Sequence, residues 1–486
     1  MKQCDSQRIR GWFYLPEVPD SKVPGILTWK PSEGAKLELI GGFSPEPEYR
    51  ENPDGNGYVT DELVGDIASG TIYGESDSGQ KLSIWEAQRC AFAADMSGLV
   101  REEFWDSTWV CVGAHVPSPQ QSRFSSATLA LDELYYLTED GRFCPPQWVK
   151  IAGVESPGEQ LDNGTLLMPY ILPVIGGYRA ESAVGETDVA RYSVNTKATR
   201  PFVSPATQAM PDLRLDFMTN RRRSGPVIEL RVDAAMCIRL AQDAAGSAAD
   251  FVDSMAPVID LLRLATFSPC GVETITLKTI DGRDIFLLSH LGDPAHPDEA
   301  HRPASTVFTF ADVPLDSYLK TRQRLTQRRQ ASYAWNVVVG LCGYSSRYVE
   351  EFVSQSIAAA EGFHLWCLGG ETNARLNDRL RGLHDRLAVE LKTQIALDVE
   401  NWIEWAVWAR NHVAHGGTKR KRIIKDSMEL VAIAESVHLV TYLVVLQELG
   451  VPLAKIRDAL NNHPRLGVVV TKSLVVNQID QQHSDP

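Results

Sequence analysis

The sequence WAVWARNHVAHGG, residues 405–417, decides how the C-terminal third of this chain is interpreted. Its apolar residues recur at helical spacing, and its two closing glycines are typical of a helix C-terminus. Arg410, Asn411, His412 and His415 therefore lie near the C-terminal end of a predicted helix. Of all the segments of the chain, this one gives the clearest indication of chemistry.

An arginine paired with a histidine suits the cleavage of RNA without a metal ion. Histidine gives and takes protons near neutral pH, and arginine is a permanent forked donor that matches phosphate oxygens. RNA supplies its own nucleophile, the 2′-OH, so the protein need only transfer protons and balance charge on the pentacoordinate phosphate. The structural alternative is that the pair arises by chance and that the histidine simply caps the helix C-terminus.

A basic cluster follows this motif directly. It consists of Lys419, Arg420, Lys421, Arg422 and Lys425. Because the cluster adjoins the motif, we predict that it contacts the RNA backbone. Runs of this kind are also common on solvated faces, which is the competing interpretation.

Helical spacing continues through the last third of the chain, whereas the first part has short apolar runs separated by Pro, Gly and Asp. The predicted helices are 315–341, 345–366, 372–391, 394–414, 426–449 and 452–461. The predicted strands include 12–15, 25–29, 37–40, 70–73, 81–85, 109–112, 128–131, 166–174, 213–218 and 227–232. Short strands at this spacing are typical of a sandwich or barrel.

The predicted fold class is therefore α+β with more than one domain. A β-rich region covers 1–305, with 1–155 and 156–305 as two candidate lobes, and an all-helical bundle covers 306–486. In the second lobe, 235–240 and 251–264 have helical spacing, 273–279 and 284–289 form a hairpin about Asp281-Gly282, and 292–305 is a linker.

The charge is distributed unevenly along the chain. The formal net charge is -14, which excludes a wholly basic nucleic-acid coat. Residues 1–309 carry a net charge of -16, and residues 310–486 carry +2. The acidity therefore belongs to the β-rich region, and the helical region can bind a polyanion locally.

The remaining composition indicates a soluble protein of the cytoplasm. The N-terminus lacks a signal-peptide core, and no uncharged apolar run is long enough to span a membrane. The eight cysteines are scattered without a C-x-x-C pair, which argues against a zinc ribbon and for reduced thiols. We predict no cofactor, no metal and no membrane partner.

The motif Arg410-Asn411-x-x-x-His415 resembles the signature of HEPN domains, which are helical domains of many defence and toxin ribonucleases. The segment 348–366 is similar to an earlier HEPN helix that ends in an acidic residue near an aromatic-histidine pair, here Glu361 with Phe363-His364.

The N-terminal region resembles that of ApeA-like proteins. The resemblance rests on the order of short matches: GWFYLP at 11–16, PGIL at 24–27, LELIG at 37–41, IYG at 72–74 and GAH at 113–115. It covers about 1–475 when the helical region is included.

The resemblance implies an antiphage protein of the abortive-infection kind. Such a protein would be a homodimer or higher homo-oligomer formed through the HEPN domain, with two motifs facing one another in a shared cleft. A phage-derived trigger, with a protein as the first candidate, would release cleavage of host RNA, tRNA among the targets. The N-terminal region would act as sensor or restraint.

The resemblance also implies roles for individual residues. Arg410 and His415 would be catalytic, and Asn411 would orient the motif or bind phosphate. Glu361 would support Arg410, and His412 falls at a variable position near the helix end.

Other interpretations stay open at this point. Some HEPN-like domains are inactive binding or scaffold modules for RNA, a nucleotide or a protein, and the chain would then bind without turnover. Trp402, Trp405 and Trp408 fit core packing better than base stacking. The arginines of 320–329 and 375–386 fit ion pairs on solvated helix faces better than an RNA track.

Overall fold

The computed structural model describes most of the chain in separate ranges. These are residues 6–43, 49–51, 58–60, 69–94, 101–131, 134–137, 159–160, 166–167, 179–181, 191–193, 202–203, 212–224, 227–239, 245–291, 306–342, 348–415 and 427–479. The predicted linker 292–305, the basic cluster and most of the predicted strand 166–174 lie outside them.

The chain forms two compact units. The β unit comprises Met1–Asp132, Pro201–Ile259 and Cys270–Ala300, and the helical unit comprises Glu133–Arg200, Asp260–Pro269 and His301–Pro486. The last segment of the helical unit thus begins at His301, close to the predicted boundary at 306, and two earlier segments, Glu133–Arg200 and Asp260–Pro269, also belong to this unit.

Nineteen strands occur in the described residues. They are β1 (Gln7–Tyr14), β2 (Val23–Lys30), β3 (Gly34–Ile40), β4 (Tyr49–Glu51), β5 (Tyr58–Thr60), β6 (Ser69–Ser76), β7 (Lys81–Ala94), β8 (Arg101–Ser107), β9 (Trp109–Val112), β10 (Phe124–Leu131), β11 (Glu159–Gln160), β12 (Leu166–Leu167), β13 (Arg179–Glu181), β14 (Arg191–Ser193), β15 (Phe202–Val203), β16 (Asp212–Ser224), β17 (Val227–Arg239), β18 (Val272–Thr279) and β19 (Asp284–Ser289).

Six of these strands close into an antiparallel barrel, in the order β7-β6-β1-β2-β3-β8 and back to β7. Alternation sends one face of each strand inward. In β3, Ala35, Leu37 and Leu39 are buried while Lys36 and Glu38 are exposed. The predicted barrel-like fold is confirmed.

Strand β7 closes the barrel because it changes partner along its length. Residues Leu82–Trp85 pair with β9, and residues from Gln88 onward pair with β8. Glu86, between these halves, has a left-handed φ of 51°, and the register with β8 shifts between Arg89 and Ala91. Bulges of this kind bend a strand and let a sheet close.

Beyond β7 the sheet continues through β9, β19, β18, β10, β17, β16 and β15. Strand β10, from the first predicted lobe, pairs with both β17 and β18 from the second. Strands from both 1–155 and 156–305 therefore join in this one sheet, and the pairs β4–β5, β11–β12 and β13–β14 lie outside it. The predicted hairpin is present as β18 and β19.

The predicted helical segment 235–240 is wrong. Ala235 and Met236 belong to β17, where they pair with Asp216 and Leu215 on one side and with Ala130 and Leu129 on the other. Pairing on both edges satisfies the backbone, so the sheet overrides the helical spacing of the apolar side chains.

Eleven α-helices occur in the described residues. They are α1 (Leu134–Leu137), α2 (Ala248–Thr266), α3 (Leu315–Leu325), α4 (Arg329–Leu341), α5 (Val349–Gly362), α6 (Leu376–Arg386), α7 (Val389–Ile395), α8 (Val399–His415), α9 (Ser427–Glu448), α10 (Leu453–Asn462) and α11 (Pro464–Val475). A π-helical turn, Phe363–Cys367, follows α5, and a 3₁₀ turn, Val476–Gln478, follows α11.

The predicted helix 315–341 is divided in two: Arg328 is extended, with φ −102° and ψ 147°, and α3 ends before it at its C-cap residue, Thr326. Its hydroxyl and its backbone N–H both donate to the carbonyl of Arg322, at 2.8 and 2.9 Å. The predicted helix 372–391 is divided by Leu387 and Ala388, which are both extended. Neither break contains the Gly or Pro that would have indicated it.

Helix α9 is the core of the helical unit. Its apolar residues point in all directions because α5, α8 and α11 pack around it. Among the described residues, it is the one helix long and apolar enough to cross a membrane, and 89% of its most apolar window is buried in the protein. A core helix of a soluble domain has this composition, as predicted for this segment.

The end of α2 is fixed into the helical unit by a buried carboxylate. Asp260 accepts hydrogen bonds from Nε and Nη2 of Arg322, at 3.1 and 3.0 Å, and from the Trp335 indole at 3.2 Å. A buried charge needs such partners, so these bonds tie α2 to α3 and α4.

His438 of α9 is fully buried and stacks on Phe267, with ring centroids 5.4 Å apart. Burial lowers the pKa of His438 from 6.5 to about 4. Below pH 6.5 the unfolded chain binds a proton at this residue and the folded chain does not. The free energy of unfolding should therefore fall between pH 6.5 and 4, by about 3 kcal/mol in total.

The check is urea unfolding of the wild type and His438→Phe at pH values from 7 to 4. The phenylalanine keeps a ring against Phe267 but cannot be protonated. We expect a weaker loss of stability in the variant across this window. Parallel pH curves for the two proteins would contradict the assignment.

Candidate functional site at the end of helix α8

Helix α8 carries the motif, and its start is well defined. Ala396 takes a left-handed conformation with φ 47° and ends α7. The Asp398 carboxylate then accepts the Asn401 N–H at 3.3 Å, which is the N-cap interaction expected for the first turn of α8. The described part of the helix runs to His415, and the two glycines that follow lie outside the described residues.

The first half of α8 is anchored in the core. The Trp402 indole donates to the Ser436 hydroxyl at 2.9 Å, and that hydroxyl donates to the Ile433 carbonyl at 2.7 Å. All of these groups are buried. On the exposed side, Arg381 donates to both oxygens of Glu400, at 2.6 and 2.7 Å. These contacts fix the rotation of α8 against α9 and α6.

The three tryptophans of α8 are core residues, as their spacing predicts. Trp402, Trp405 and Trp408 are 0%, 1% and 5% exposed. Trp405 meets Trp408 edge to face, with centroids 5.8 Å apart. RNA bases therefore cannot stack directly on these rings.

The motif residues follow the three buried tryptophans along α8. Arg410 is exposed and Asn411 is partly buried. Arg410 Nη1 donates a long hydrogen bond of 3.5 Å to Asn411 Oδ1. In the described part of the chain Arg410 has no carboxylate partner, so its guanidinium is available to an anion such as phosphate.

His415 is the last residue of α8, one helical turn beyond Asn411. Its side chain and the whole basic cluster lie outside the described residues. The predicted roles of His415 and of Lys419, Arg420, Lys421, Arg422 and Lys425 therefore stay predictions.

His412 is partly buried and stacks on Trp408, with centroids 4.6 Å apart and planes 13° from parallel. The spacing of four residues on one helix already places these rings together, so this contact could have been found from the sequence.

Glu361 has a different partner from the expected one. Its carboxylate accepts from Arg379 Nη1 at 3.4 Å, and Arg379 Nη2 donates to the Thr372 carbonyl at 3.0 Å. Within the described residues, Glu361 is thus paired with an arginine of α6, whereas Arg410 contacts Asn411.

His364 lies in the π-helical turn after α5. A methyl group at Gly370 or Gly382 would overlap its imidazole, so these glycines make room for the ring. Burial, followed by the positive charges of Arg386 and Arg379, lowers the pKa of His364. These features make His364 a neutral packing residue of this turn.

Five of the eight arginines in 320–329 and 375–386 are neutralised by carboxylates, as predicted, although with other partners. The pairs are Arg322 with Asp260, Arg324 and Arg386 with Glu448, Arg379 with Glu361, and Arg381 with Glu400. An RNA track along α3 or α6 is therefore disfavoured.

Two family models match the chain in succession. The model described as ApeA N-terminal domain 1 matches residues 8–321, well over half of the chain, and the model described as Apea-like HEPN matches residues 335–455. The chain belongs to the ApeA-like HEPN family. Searches of curated proteins and of solved structures gave no match.

The matched ranges fit the two kinds of structure in this ApeA-like HEPN protein. The first range covers the barrel and its sheet and ends within α3, somewhat beyond the predicted boundary at 305. The HEPN range runs from α4 into α10 and contains all of α8. HEPN domains are generally ribonucleases, which makes the end of α8 the candidate site.

The anchoring of α8 can be tested at Ser436. Ser436→Ala leaves the buried Trp402 N–H without its acceptor and should lower the free energy of unfolding by about 1–3 kcal/mol. Adding Trp402→Phe removes that unpaired donor, so the double variant should lose less than the sum of the two single variants. Urea unfolding of the four proteins measures this, and strictly additive losses would contradict the anchoring role.

Proposed function

We propose that this ApeA-like HEPN protein is a metal-independent endoribonuclease of antiphage defence that cleaves host RNA, with tRNA among its targets. The observation that supports it most is the exposed Arg410, held beside Asn411 in the second half of a helix whose first half is anchored in the core. A site that positions an RNA phosphate needs an available cation on a rigid support.

In the proposed reaction, the RNA 2′-OH attacks the neighbouring phosphorus and passes its proton to an imidazole of His415. The guanidinium of Arg410 balances the additional negative charge of the pentacoordinate phosphate. The bond to the 5′-oxygen then breaks, and that oxygen takes a proton from an imidazolium. The products are a 2′,3′-cyclic phosphate and a 5′-hydroxyl.

This scheme needs one base and one acid at the same time. A homodimer formed through the HEPN domain would supply both, because each copy brings one His415 to a shared cleft. One imidazole would accept the proton of the 2′-OH while the second, protonated, serves the leaving oxygen. The basic cluster 419–425 would hold the RNA backbone beside this cleft.

The β unit is proposed to sense a phage-derived trigger or to restrain the nuclease until the trigger arrives. Charge supports this role, because residues 1–309, which contain the β unit, carry a net charge of -16 that repels a polyanion. A trigger that binds the β unit would then allow RNA to reach the motif.

The test is RNA cleavage in cells that express the full chain and are challenged with phages. We expect His415→Ala to reduce cleavage by about 100-fold or more, which is the usual contribution of acid-base groups. Arg410→Ala should also abolish protection. Cleavage by the purified, triggered protein should be insensitive to EDTA.

The matched control is Arg328→Ala, which removes another exposed arginine of the helical unit, at the N-terminus of α4. This variant should retain wild-type cleavage. Undiminished cleavage by His415→Ala would exclude the mechanism. If the wild type protects cells and binds RNA without cutting it, the inactive binding-module alternative is correct.

A further inference from the structure

The side chain of His412 continues the aromatic packing of α8 toward the motif. Trp408 is 5% exposed and has the edge of Trp405 on one side and the ring of His412 on another. The His412 ring lies nearly parallel to Trp408, with planes 13° apart and centroids at 4.6 Å. The orientation of the imidazole is therefore set by a ring that is itself fixed in the core.

His412 is the accessible member of this group of rings. Trp402, Trp405 and Trp408 are buried, whereas His412 is only partly so. One face of the imidazole is covered by Trp408. An aromatic ring with a rigid backing on one face loses little conformational entropy when a flat ligand stacks on the other.

The position of His412 relates it to the proposed chemistry. Position 415 follows three residues later, so the two positions are neighbours on the helix surface. Arg410, two residues earlier, provides the exposed guanidinium. A nucleotide whose base stacks at 412 would thus have its ribose and phosphate close to the motif.

We propose that His412 is a base-stacking residue, which holds the nucleobase of an unpaired nucleotide next to the cleaved phosphate. Proteins that bind single-stranded RNA use aromatic and histidine rings in this way, and stacking tolerates different bases. His412 touches the substrate but transfers no proton. This inference rests on the proposed ribonuclease function and adds that the cleaved RNA is single-stranded at the site.

The test uses binding of a short single-stranded 2′-O-methyl RNA, which cannot be cleaved, to the full-length protein, followed by fluorescence anisotropy. His412→Leu and His412→Gln remove the aromatic ring and should weaken binding roughly fivefold or more. His412→Phe is the matched control, because it keeps a flat ring without an ionisable nitrogen. It should bind within about twofold of the wild type.

Three results would overturn the proposal. Wild-type binding by both His412→Leu and His412→Gln would show that no base contacts this ring. Equal weakening in His412→Phe would show that the imidazole nitrogens, and not the ring face, are needed. Tighter binding of a duplex than of the single strand would exclude an unpaired base.

The binding result is independent of catalysis because the probe cannot be cut. The wild type could fail to cleave RNA while His412→Leu binds the probe more weakly than His412→Phe. That result would contradict the proposed ribonuclease activity but support the stacking site. On a cleavable RNA, His412→Leu and His412→Gln should raise KM with little change in kcat, whereas His412→Phe should keep the KM and the pH profile of the wild type.

Discussion

The hydrogen bond from the Trp402 indole to the Ser436 hydroxyl is the constraint on which the candidate site depends. It lies among buried side chains, where an unpaired indole N–H would cost more than the bond itself contributes. The bond is therefore maintained only in one rotation of α8 against α9. That rotation buries the tryptophans of α8 and leaves Arg410 exposed at the end of the helix.

The arginines of the helical unit divide into two groups for a simple electrostatic reason. Arg322, Arg379 and Arg381 face carboxylates that the fold brings near them, so their charges are already neutralised. Arg410 has no such carboxylate among the described residues and contacts only the neutral amide of Asn411. Arg410 is in this way available to phosphate, although the helical domain has no strongly positive overall charge.

The sequence predicted local structure best where residues close together in the chain determine that structure. The Asp281-Gly282 hairpin and strand 109–112 are examples, since the turn residues and the β-branched run determine them locally. Helix breaks that lack Gly or Pro were missed, as between α3 and α4, where Arg328 is extended. The strand at 235–239 was missed because one of its two partners, β10, is distant in sequence.

The candidate site was predictable in part for the same reason. Arg410, Asn411 and His415 belong to one short segment, so their common helix follows from spacing. The Trp408–His412 stack follows from it as well, since these residues are four apart. The partner of Glu361 does not follow from the sequence, because the choice between Arg379 and Arg410 depends on how α5, α6 and α8 pack together.

The chemistry of the RNA ends tests the central claim most directly. RNA from phage-challenged cells that express the wild type or His415→Ala would be sequenced with and without a treatment that opens 2′,3′-cyclic phosphates. The account predicts new fragments that carry 5′-hydroxyl and 2′,3′-cyclic phosphate ends, at unpaired nucleotides, in the wild type alone. Fragments with 5′-phosphate and 3′-hydroxyl ends, or equal fragments in both strains, would contradict it.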